Sequence, residues 1–254
     1  MTFSQIVDAR ANGRNGPKSS LDWTPPAAAK FAPMNHVLLF DIDGTLLDAD
    51  GSGGAAMRRV LARDFGVDAS GADIPAAGRT DAAILGDLFD QFGVPDDRRN
   101  DFVAAYIREL ARVLPTRQSR LLPGALAAVR RAASLRGVGL GLLTGNLRRA
   151  AAVKLDHHGI GDYFEFGAFG DSERDRNRVA AEAASMIAEA GGPPPECVWV
   201  IGDTPADVEC ARSAGFRVLA VATGMFDADA LAVCEPDLLA ESLTEADRLF
   251  AALA

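Results

Sequence analysis

Lysine is almost missing from this chain: of 254 residues only Lys18, Lys30 and Lys154 carry it, and every other permanent cation is an arginine. Acidic residues outnumber basic ones, and the formal charge of −9 argues against a nucleic-acid partner, because a phosphate backbone is held mainly by clustered Lys and Arg. It leaves room for a small anionic substrate, which needs only local positive charge. Cysteine is also scarce. Cys197, Cys210 and Cys234 form no CxxC pair and leave one over, so they read as reduced, structural thiols of a cytoplasmic protein. No apolar run is long enough to span a bilayer, and Met1 to Arg14 is polar, without the apolar segment of a secretory signal. The expectation is a soluble cytoplasmic protein, monomer or homodimer, with neither membrane nor nucleic acid as partner.

Residues 1–34 are rich in Gly, Pro, Ser and Ala without sustained periodicity, and read as a disordered tail. At His36 the texture changes to short continuous apolar runs, His36 to Phe40, Val138 to Leu143, Cys197 to Ile201 and Val218 to Val221. Such runs suit parallel strands buried on both faces. Helical stretches lie between them (Leu147 to His158, Arg178 to Ala190, Pro205 to Ala214), begun by Pro205 and ended by Gly159, Gly191 and Gly215. Strands alternating with helices indicate an α/β fold, a doubly wound parallel sheet with a Rossmann-like core.

Residues 51–122 break this rhythm with three amphipathic stretches, Ala55 to Phe65, Asp81 to Phe92 and Asp97 to Leu114, and no strand. They read as a helical cap inserted after the first strand, with residues 35–50 and 123–254 forming the catalytic core. Gly51-Ser52-Gly53-Gly54 lacks the Gly-Lys-Ser/Thr of a nucleotide-binding loop and reads as a hinge for that cap.

Ligands of an open parallel sheet bind at the carboxyl ends of its strands. Three apolar runs end in polar clusters: Asp41-Ile42-Asp43-Gly44-Thr45, Thr144-Gly145-Asn146 and Gly202-Asp203-Thr204-Pro205-Ala206-Asp207. Carboxylates converging at one sheet edge repel strongly unless protons or a metal neutralise them. The oxygen-only donor set of Asp41, Asp43, Asp203 and Asp207, with no Cys or His nearby, favours Mg²⁺ over zinc. A calcium loop is excluded because the twelfth residue from Asp41 is Ser52 rather than Glu. His157 and His158 are adjacent on a helix and point apart. Gly137-Val138-Gly139-Leu140-Gly141 lies within a strand and is no dinucleotide fingerprint.

With these motifs in this order, residues 36–245 resemble the haloacid dehalogenase superfamily, and most nearly its phosphoglycolate phosphatase-like branch. The resemblance implies a Mg²⁺-dependent phosphatase acting on a small phosphorylated metabolite, a phosphate monoester, through an aspartyl-phosphate. Asp41 would be the nucleophile. Asp43 would protonate the leaving alkoxide and then activate water, its backbone carbonyl also reaching the metal. Thr144, the amide of Gly145 and Asn146 would hold the phosphoryl oxygens; Asp203 would ligate Mg²⁺, and Asp207 would support that site.

The chain departs from the family in lacking the lysine expected before the last motif. Arg176 is favoured as its replacement, because Asp175 reads as a helix N-cap that would aim the next residue at the site. Arg174 and Arg178 remain alternatives, and Lys154, well inside a helix, is either a surface lysine with a snorkelling stem or the missing cation. Asp43 favours phosphate chemistry over dehalogenation, and a cap without lysine weighs against Schiff-base phosphonate hydrolysis. A sugar-phosphate mutase, or a catalytically silent binding protein on the same fold, stays as an alternative. Arg79, at a turn in the cap, is either a binder of a substrate carboxylate or second phosphate, or an ordinary solvent-facing arginine.

Overall fold

The computed structural model describes residues 34–253, so the expected tail lies outside the described residues except for Met34. In chain order the regular elements are β1 (His36–Phe40), β2 (Leu47–Asp48), α1 (Ser52–Phe65), α2 (Asp81–Phe92), α3 (Arg99–Val113), β3 (Arg120–Leu121), α4 (Ala125–Ser134), β4 (Val138–Thr144), α5 (Arg148–His157), β5 (Phe166–Phe169), α6 (Arg176–Glu189), β6 (Val198–Gly202), α7 (Pro205–Ser213), β7 (Arg217–Val221), α8 (Ala228–Ala232), β8 (Leu238–Ala240) and α9 (Asp247–Ala251).

Six strands form one parallel sheet in the order β5-β4-β1-β6-β7-β8. β1 is central, and the chain builds outward from it first on one side and then on the other. The crevice beyond the carboxyl end of β1 is therefore the topological switch point, where such sheets bind ligands. Side chains alternate across the strands: Leu38, Phe40, Trp199 and Ile201 join one apolar cluster, and Val37, Leu39, Val198 and Val200 the other. Burial on both faces explains why these strands read as unbroken apolar runs.

The insert departs from the sheet through a small antiparallel pair, β2 with β3, in which Leu47 faces Leu121 and Asp48 faces Arg120. Its helices place Met57, Ile84, Phe102 and Ile107 in the same apolar cluster as Leu38 and Phe40. Two expectations about this region are corrected. Ser52, Gly53 and Gly54 form the first turn of α1 rather than a hinge, Gly51 taking the left-handed conformation just before it. The third helix is shorter than expected, with a 3₁₀ turn at Asp96–Arg98.

Four short strands lie outside the expected apolar runs: β2 and β3, two residues each, with β3 inside the 51–122 stretch expected to hold no strand, and β5 and β8, four and three residues long. No helix among the described residues is long and apolar enough to cross a membrane.

Candidate active site

The loop after β1 is shaped by its glycine. Gly44 adopts φ +81°, and a Cβ there would stand 2.2 Å from an Asp203 carboxylate oxygen. Any other residue would push apart the ends of β1 and β6. A Cβ at Gly224 would meet the same carboxylate at 1.7 Å, so Asp203 is walled in by backbone on two sides. Thr45 Oγ1 donates to Asp203 Oδ1 at 2.9 Å, and Thr223 Oγ1 donates to the Gly44 carbonyl at 2.6 Å.

Carboxylate oxygens of Asp41, Asp203 and Asp207 all lie within 4.8 Å of one another, and all three residues are buried. One cation faces them. Arg176, first residue of α6 after the N-cap Asp175, pairs with Asp41 at 3.0 Å and with Asp207 at still closer range. Burial opposes the Arg176 charge, but the two carboxylates outweigh it and hold the guanidinium well above its usual pKa.

Burial, reinforced by the charges of Asp207 and Asp41, pushes the Asp203 carboxyl up to about 8. Burial also raises Asp207, to about 6, against the pull of Arg176. One guanidinium among three buried carboxylates leaves an excess of negative charge that only protons or a metal can offset. An all-oxygen donor set of this kind fits a hard divalent ion such as Mg²⁺.

Asp207 stands behind this group, and both of its oxygens are engaged. One meets Arg176, while the other accepts from the backbone and hydroxyl of Thr204 at 3.0 and 2.7 Å in a capping box that starts α7. Its place is therefore to anchor Arg176 and the Asp203 loop.

Across the cavity Asp43 Oδ2 accepts from Lys154 Nζ at 2.5 Å and from Asn146 Nδ2 at 2.9 Å. Asn146 Nδ2 also reaches Thr144 Oγ1 at 2.9 Å, and Asn146 Oδ1 accepts from Lys154 at 2.6 Å. Lys154 is buried, against the surface-lysine reading. It lies on α5, where Ala150 to Leu155 are all buried: α3 covers that helix, and Ala151 and Leu155 lie beside Leu142 and Phe169 of the sheet.

A cavity of about 450 Å³ joins these groups: Asp41, Asp43, Thr144, Gly145, Asn146, Arg176 and Asp203 from the core line it, and Arg79 closes it from the insert. Arg79 is not free there, since its guanidinium pairs with Asp87 in the second turn of α2. Arg174 and Arg178 stay outside. Arg174 packs against Gly86, and Arg178 is exposed beside Glu173.

Two contributors were not foreseen, Thr45, which fixes Asp203, and Asp81, whose carboxylate accepts from the Leu147 amide at 2.7 Å; Lys154, one of the alternatives for the missing cation, pairs with Asp43 rather than Asp41. The scarcity of lysine was the one signal available for Lys154.

The raised carboxyls fix how the metal-free protein responds to pH. Asp203 and Asp207 bind protons in the folded state at pH values where the unfolded chain has lost them. Folding then takes up protons, so metal-free stability falls as pH rises from about 4 to about 8. Thermal unfolding in EDTA is expected to show a decreasing midpoint across that window, and Mg²⁺ is expected to flatten it by taking the protons' place. A midpoint in EDTA that rises from pH 6 to pH 8 would contradict the charge arrangement.

Residues 36–215 match the family profile described as haloacid dehalogenase-like hydrolase. Among curated proteins, the phosphoglycolate phosphatase of Synechococcus elongatus is 28% identical over 211 residues, covering 82% of this chain and 93% of its own. That of Rhodospirillum rubrum is 28% identical over 201 residues, covering 75% and 81%. Among solved structures, CbbY from Rhodobacter sphaeroides in complex with phosphate superposes with a TM-score of 0.65 at 19% identity, over 84% of this chain and 96% of that one. A haloacid dehalogenase-like family protein from Streptococcus pneumoniae gives 0.60 at 22% identity, over 85% and 98%. Both structures share the fold. With the motifs gathered in one cavity and most of its length matched, this chain belongs to the haloacid dehalogenase-like hydrolases.

Proposed function

We propose that the protein is a Mg²⁺-dependent phosphatase that hydrolyses a small phosphate monoester through an aspartyl-phosphate on Asp41. The observation that carries this reading is the pairing of Asp41 with Arg176 at 3.0 Å in the cavity shared with Asp203. A buried carboxylate beside a fixed guanidinium is a nucleophile with a cation already in place for the incoming phosphate.

Arg176 also lines the cavity, which sets its guanidinium beside an incoming phosphoryl oxygen as well as beside Asp41. Asp41, Asp203 and the backbone carbonyl of Asp43 would hold the metal, which when bound neutralises the carboxylates and draws off the phosphate's charge. Asp41 attacks phosphorus, and the leaving oxygen departs with a proton from Asp43. Asp43 then accepts a proton from water as that water's oxygen displaces Asp41, releasing inorganic phosphate. Lys154 and Asn146 both hold Asp43 by Oδ2, which leaves Oδ1 for the proton. Thr144 and the Gly145 amide receive the phosphoryl oxygens, positioning supplying most of the catalysis.

The substrate is phosphoglycolate-like, a small ester of the kind for which both curated relatives are named. Arg79 at the cavity wall is the cation that would meet a distal carboxylate by leaving its half-exposed pair with Asp87, which costs little at that exposure. Residues 51–122 are a cap whose closure shuts water out. Purified protein is expected to release phosphate from p-nitrophenyl phosphate and 2-phosphoglycolate with Mg²⁺, to stop on EDTA and to recover on added Mg²⁺. Turnover that survives EDTA would sink the metal-dependent mechanism.

A further inference from the structure

The insert touches the phosphate-binding loop through its middle, at residues 79–82, far along the chain from its β2–β3 stem. There two helices exchange the donors that a helix N-terminus leaves unsatisfied. In α2 the Asp81 amide donates to the Gly145 carbonyl at 2.7 Å, the Ala82 amide to Gly170 at 3.1 Å, and the Ala83 amide to the N-cap Thr80 at 3.2 Å. Thr80 in turn donates to the Arg174 carbonyl at 3.2 Å.

The debt runs the other way in α5. Its N-cap residue is Leu147, whose side chain offers no acceptor, and the Leu147 amide instead donates to Asp81 Oδ2 at 2.7 Å. A carboxylate from the insert thus caps a core helix together with Asp171 of the core, which accepts from the Arg148 amide at 3.1 Å. The approach is close enough to require glycine, for a Cβ on Gly145 would lie 2.0 Å from the Arg79 carbonyl.

Asp81 is nine-tenths buried and lines the cavity. Burial raises its carboxyl to about 6, and the positive charge that most opposes that rise is Lys154, the residue holding Asp43. The loop so capped, Thr144 to Leu147, carries the groups assigned to the phosphoryl oxygens.

We propose that Asp81 is a positioning residue: by capping α5 from the insert, it holds the 144–147 loop in its phosphate-binding shape while the insert is docked. The catalytic half of this inference rests on the phosphatase reading above; the capping half does not. Asp81→Ala removes the acceptor, whereas Asp81→Asn keeps one without the charge. Neither substitution buries a new charge, so both are expected to fold.

Amide exchange across residues 145–149 is expected to speed up about 10–100-fold in Asp81→Ala and far less in Asp81→Asn, the range for losing a hydrogen bond to a charged acceptor. Turnover of p-nitrophenyl phosphate is expected to fall over the same range, chiefly in kcat, with Asn restoring most of it. Exchange in Asp81→Ala equal to wild type overturns the capping, and equal effects of Ala and Asn overturn the acceptor role. Faster exchange with unchanged kcat overturns the positioning. A failure of the phosphatase reading looks different: no turnover in any of the three proteins, with the exchange difference intact, and the catalytic half falls with it.

Discussion

Asp41→Asn is expected to lower kcat for phosphate release by about 10⁴-fold or more, the scale seen when a covalent nucleophile is removed. The amide has no anionic oxygen to bond to phosphorus, and no other carboxylate is placed to take over. Asp43 is fastened by Lys154 and Asn146, Asp203 is walled in by Gly44 and Gly224, and Asp207 is spent on Arg176 and Thr204. The fold is expected to survive, because an asparagine oxygen can still accept from Arg176. It also takes one negative charge away from Asp203 and Asp207, both of which Asp41 pushes upward. In EDTA at pH 7.5 the variant is therefore expected to melt no lower than wild type. Beryllium fluoride, which mimics an aspartyl-phosphate, is expected to raise the melting midpoint of wild type with Mg²⁺ and to leave the variant where it was. A variant that keeps a tenth of the wild-type rate sinks the nucleophile assignment.

What could be read from the sequence follows from where the information lies. A buried parallel strand must be apolar throughout, and its end must turn. Asp41, Thr144 and Asp203 therefore announce themselves as polar residues at the close of apolar runs, and the fold rule places those ends together. Arg176 was legible for a similar reason, since Asp175 marks the start of α6 and the side chain just inside a helix start faces the same crevice.

The placement of Lys154 and the role of Asp81 were illegible because their partners belong to other elements. Nothing local says that α5 lies beside the sheet and under α3, which turns a helical lysine from a surface residue into a buried one. Nothing local says that Leu147 lacks a cap and that Asp81, 66 residues earlier, supplies it. The glycines after Gly51 misled in the opposite direction. Local propensity reads them as a break, yet the apolar positions that follow, Ala55, Ala56 and Val60, pack the helix firmly enough for its first turn to tolerate them.

Arg176 carries the second large effect, because two buried carboxylates, Asp41 and Asp207, share it. Arg176→Met fills similar space without the charge, and leaving Asp41 and Asp207 buried and unpaired is expected to cost on the order of 3–5 kcal/mol in EDTA at pH 8. The penalty has a definite pH sign. Arg176 lowers the Asp207 carboxyl against burial, so removing it raises that carboxyl further above about 6. The variant then binds more protons than wild type, and its deficit is largest at high pH and shrinks as Asp207 protonates toward pH 5. Denaturant midpoints at pH 5 and pH 8 measure this directly, and a gap that widens on acidification would overturn the pairing. Activity is expected to fall at least about 10²-fold even with saturating Mg²⁺, the scale for losing one preorganised donor to transition-state charge. A metal at Asp41 and Asp203 offsets their repulsion, but it cannot replace the fixed N–H groups that Arg176 brings to the cavity wall. Arg176→Lys keeps one charged nitrogen of the kind that meets both Asp41 and Asp207 through Nη2, but loses the other N–H groups of the planar guanidinium. It is therefore expected to recover most of the stability and little of the rate, which separates the electrostatic part played by this arginine from its hold on the phosphoryl group.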